Sequence, residues 1–70
     1  MLCHPHDKNW IIETISGLGP QTSAKVKAVY SETYAALMDA AGDDMILKQA
    51  ARVECNTRLR RYVEALRSQS

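Results

Sequence analysis

The side chains best suited to chemistry open the chain. In "CHPHD", Cys3, His4 and His6 are competent zinc ligands and Asp7 could join them. A zinc site ordinarily draws a second ligand pair from a distant segment, and here only Cys55 remains, with no third histidine. The spacing therefore predicts no metal site and makes residues 1–6 a flexible polar head. A nucleophile would need a base within hydrogen-bond reach and a third group to orient it, yet both histidines sit in that head, so no enzyme is expected. "GLGP" at 17–20 lacks the lysine and the preceding strand of a phosphate loop and reads as a helix stop. The neighbouring Asp43 and Asp44 read as a helix start, where carboxylates meet free N–H groups. Nothing here implies a cofactor or a small-molecule substrate.

The other cluster is the arginine-rich end, "NTRLRRYVEALRSQS". From Arg52 onward five arginines face Glu54 and Glu64, whereas acids outnumber lysines before that point, so a net charge of +1 conceals a basic end. Asn56, Thr57, Arg58, Arg60 and Arg61, with Tyr62 able to stack, suit a helix that reads nucleic acid. Against that, DNA-binding domains are usually strongly basic, and neither zinc-finger nor basic-zipper spacing is present. Cations near a helix C-terminus are also favoured by the macrodipole alone. The expected partner-binding surface comprises Arg58, Leu59, Arg60, Arg61, Tyr62, Leu66 and Arg67. Its expected partner is protein, a second copy of the chain being one candidate, and nucleic acid is the alternative.

These groups need elements to position them. Seventy residues make one domain, and folding at this size buries only roughly 60% of the surface of the unfolded chain, which makes an associating partner useful. Apolar residues at 46% and charged residues at 24% exclude the disordered and membrane classes. No apolar run nears the roughly 18 residues of a spanning helix, and the N-terminus lacks a basic region followed by an apolar one. The expectation is an intracellular protein with two free thiols, Cys3 and Cys55. Punctuation predicts an all-α, three-helix domain with a long last helix. Asp7 caps a first helix over 7–17, Thr22 or Ser23 caps a second over 22–41, and Asp43 or Asp44 opens a third over 43–67, leaving 68–70 as a frayed tail.

At about 100° per residue, Leu47, Ala51, Cys55, Leu59, Tyr62 and Leu66 form one apolar seam along the third helix. Ile46, Ala50 and Val53 make a second stripe in its first half, replaced farther along by Arg60, Arg61 and Arg67. This pattern predicts that helices 1 and 2 cover the first half of helix 3 and that its C-terminal half projects. The expected core is Trp10, Ile11, Val29, Leu37, Ile46 and Val53, with Cys55 buried and inert.

At "NWIIETISGLGP" and "NTRLRRYVEAL" the chain resembles small helical proteins encoded by tailed phages and prophages. The resemblance spans most of residues 9 to 66 and brings no activity or functional residue with it. It implies a bacterial cytoplasm and an accessory protein that regulates or inhibits host or phage machinery by binding.

Overall fold

The computed structural model describes residues 2–68. A 3₁₀ turn, Pro5–Asp7, leads into three helices: α1 Lys8–Ile15, α2 Pro20–Ala41 and α3 Met45–Ser68. No strand occurs among the described residues, and no helix there is long and apolar enough to cross a membrane. The tail reading changes accordingly, since Ser68 is the last residue of α3, while Gln69 and Ser70 lie outside the described residues.

Local chemistry explains each boundary. Gly19 precedes α2 at φ 85°, and Gly42 follows it at φ 59°, both in the left-handed region where a side chain would be strained. Pro20 occupies the first turn of α2, where a missing N–H costs nothing. "GLGP" thus ends one helix and starts the next two residues earlier than Thr22 predicts. Ser23 is not a cap, because its hydroxyl donates to the Ile15 carbonyl at 2.9 Å and so closes the end of α1. Of the two aspartates, Asp44 is the cap of α3: its Oδ1 accepts from the Ile46 and Leu47 amides at 2.9 and 3.1 Å.

The short joints at 16–19 and 42–44 fold the chain up, down and up again. α2 and α3 form an antiparallel hairpin, and Tyr30 of α2 meets Asn56 of α3. α1 must return beside the start of α2, which is level with the end of α3. Ile11 and Ile15 accordingly pack with Val26, Tyr30, Cys55, Leu59 and Val63 into the core, while Trp10, Leu37, Cys3 and Tyr34 cover its edge.

The expected coverage is therefore reversed. The first helix and the turn before it cover α3 from Arg52 onward, and the first two turns of α3 form the tip of the hairpin, packed on α2 alone. Ile46 is 80% exposed, and Val29 and Val53 are each 54% exposed, so these three leave the expected core. Ile11 belongs to it at 1% exposure.

Candidate functional site

Two arrangements bring polar or apolar groups together, one on each face of the α2–α3 hairpin. On the α1 face, Asp7 is buried and its carboxylate accepts from Arg52 Nε at 2.7 Å, Arg52 Nη2 at 2.8 Å and Asn56 Nδ2 at 3.0 Å. Tyr30 donates its hydroxyl to Asn56 Oδ1 at 2.6 Å, which extends the network onto α2. Asp7 is not the side-chain cap of α1 that its position suggests. The Arg52 guanidinium beside it holds the carboxyl down to about 2, overriding the upward push of burial. Burial pushes the Tyr30 hydroxyl well above its ordinary value.

This network clamps the head to the hairpin. Leu2 N donates to Ser31 Oγ at 3.0 Å and His4 Nδ1 accepts from the His6 amide at 3.1 Å, so residues 2–6 are placed rather than loose. Both oxygens of Asp7 are occupied by Arg52, which suits a structural latch better than an acid–base group. Among the described residues no three metal-binding side chains gather closely enough to hold an ion.

The opposite face carries an apolar groove. Val26, Val29 and Thr33 line it from α2, and Cys55, Leu59 and Tyr62 from α3, around a hollow of about 390 Å³ rimmed by Lys25 and Arg58. Leu59 and Cys55 are its buried floor, while Val29 at 54% and Tyr62 at 45% exposure are its open walls. Toward the hairpin tip a second hollow of about 340 Å³ lies between Leu37, Ala40 and Ala41 of α2 and Leu47 and Ala50 of α3. Along α2 the lining recurs at 26, 29, 33, 37 and 40, and along α3 at 47, 51, 55, 58 and 62. These are helical-face spacings, so the two hollows follow one another along the same flank of the hairpin.

The seven residues expected to bind a partner do not form one surface. Leu59 is floor, Tyr62 is wall, and Arg58 is rim, ion-paired to Glu54 at 2.8 Å. Leu66 is half-buried, and Arg67 turns to the α1 side to donate to the Thr14 carbonyl at 3.3 Å. Arg60 and Arg61 are exposed on the side of α3 facing away from α2. The arginines thus diverge around the helix, whereas nucleic-acid binding asks for cations along one stripe. Sequence reasoning missed the α2 wall; the recurrence of Val26, Val29, Thr33, Leu37 and Ala40 on one flank was its available signal.

No protein-family model, no curated protein and no solved structure matches this chain.

Proposed function

We propose that this chain works by binding protein, with no chemistry of its own, through the apolar groove between α2 and α3. One observation carries the reading: Val29 and Tyr62 stand open over a buried floor in a molecule too small to leave a long apolar face idle. An aromatic wall, an aliphatic wall and a charged rim match the anatomy of association surfaces, where central apolar groups hold and rim charges steer. The resemblance to phage and prophage accessory proteins supports a role in regulating or inhibiting host or phage machinery in a bacterial cytoplasm. The divergence of the arginines favours protein over nucleic acid.

The test immobilises the parent chain and its Val29→Asp and Tyr62→Ala variants in a bacterial lysate supplemented with a differently tagged copy of the chain, with and without nuclease. Proteins held by the parent, lost by both folded variants and indifferent to nuclease are the expected result. Retention that disappears only with nuclease would replace this reading by the nucleic-acid one.

A further inference from the structure

We infer that the groove is occupied by a second copy of this chain, paired about a two-fold axis that lies in the interface perpendicular to the helices. The inference rests on the groove being a protein-docking surface. In this arrangement α2 packs antiparallel on the second copy's α2, and α3 antiparallel on its α3, closing two hairpins into a four-helix layer pair with both α1 helices outside.

Charge favours this orientation. Lys25 lines the groove at its open end, and the hairpin tip carries Asp39, Asp43 and Asp44 against the single cation Lys48, so it is acidic on balance. Antiparallel pairing sets the basic end of each copy on the acidic tip of the other, and Lys25 and Asp39, four helical turns apart on one flank of α2, exchange partners across the axis. Parallel pairing would set like on like. On α3 the two Glu54 carboxylates meet at the same axis, and each keeps its own Arg58 one turn away at 2.8 Å, which offsets their repulsion. Side-chain size agrees as well: the symmetry brings Tyr62 over the second copy's Leu47, beside its alanine-lined hollow at Ala40 and Ala50.

The levels of the two helices are mutually consistent. Lys25 and Asp39 have their midpoint at 32, Tyr62 and Leu47 have theirs between 54 and 55, and the Tyr30–Asn56 hydrogen bond puts those positions nearly abreast. The area is adequate too. The molecule measures 40 × 19 × 18 Å, and a face built from two such helices covers roughly 600 Å² per copy, or about 1,200 Å² for the pair, at the lower bound of specific interfaces.

Sedimentation equilibrium of the purified full chain tests the pairing. The parent is expected to dimerise reversibly at micromolar concentration. Val29→Asp should weaken the dimer at least tenfold, and Ile46→Asp, on the outer side of α3, should leave it within twofold. Lys25→Glu should weaken it several-fold and Lys25→Glu with Asp39→Lys should restore it, while Glu32→Gln should tighten it, since Glu32 faces its own copy at the axis. Thr33→Cys in a Cys3→Ser background should cross-link on mild oxidation, and Ile46→Cys should not. Circular dichroism verifies that each variant folds. A parent that is monomeric up to millimolar concentration overturns the pairing, as does a dimer indifferent to Val29→Asp or one that Lys25→Glu with Asp39→Lys fails to restore. If the parent is monomeric but Val29→Asp still loses lysate proteins, the self-pairing falls and the docking function stands; if Val29→Asp changes neither, both fall.

Discussion

Asp7 stands two residues from a proline and reads as a helix cap, yet its carboxylate reaches across 45 residues to Arg52. With its carboxyl held at about 2 against an ordinary 3.8, the ionised form is favoured by folding. The stabilisation is complete above the unfolded value and is lost as pH falls from about 4 through 2. Allowing for the solvent access of the guanidinium, the effect at neutral pH is about 1–2 kcal/mol. Thermal melts of the parent should therefore fall between pH 4 and pH 2 more steeply than those of Asp7→Asn, which lacks the titrating group. Equal slopes would show that the latch contributes nothing. Cys55 makes the second residue-scale case: it is 1% exposed and burial pushes its thiol up, so a thiol reagent should modify native Cys3 fast and Cys55 slowly. Equal rates would place Cys55 at the surface.

At the scale of elements, each helix end has a chemical cause, and each cause can be removed. Asp44→Ala leaves the Ile46 and Leu47 amides without their acceptor and should lower stability by about 1 kcal/mol in denaturant melts. Asp43→Ala should do almost nothing, because Asp43 makes no cap. Existence and type of the elements were legible because Gly42, the "GLGP" stretch and the paired aspartates are strong punctuation between periodic segments. The seam of α3 was legible at Ala51, Cys55 and Leu59, all buried. Val63 escaped because it lies one step around the helix from that seam, and only the packing of Ile11 and Ile15 makes this flank interior. Val29, Ile46 and Val53 misled for the converse reason: apolar spacing marks a face, and says nothing about which neighbour covers it. The groove was half-legible: the seam marks Leu59 and Tyr62 on α3, whereas the apolar spacing of Val29 and Leu37 on α2 reads as core.

Across the whole molecule, cover is uneven along the 40 Å axis. Chain connectivity dictates this, because an eight-residue α1 tied by a short turn to the start of α2 can reach only the end of α3 that lies beside it. From Arg52 onward α3 gains the Asp7 latch, Ile11 and Ile15, and its first two turns, before Arg52, gain only α2. Buried contacts at one end and open helices at the other give a gradient of local stability within one domain. Ile11→Ala should consequently cost about 2 to 5 kcal/mol, enough to unfold much of a domain this small. Ile46→Ala, at 80% exposure, should change stability by less than about 0.5 kcal/mol. Native hydrogen exchange reads the same gradient without mutation. Amides of residues 45–50 should exchange through local opening well before those of 55–63, although both segments are helical in one continuous α3. If self-pairing covers the groove, raising the concentration should slow exchange at both ends of the hairpin, and Val29→Asp should cancel that protection while preserving the gradient of the single copy. Uniform exchange along α3 at low concentration would mean that α1 contributes no differential stability, and the account of how this fold is held would have to be abandoned.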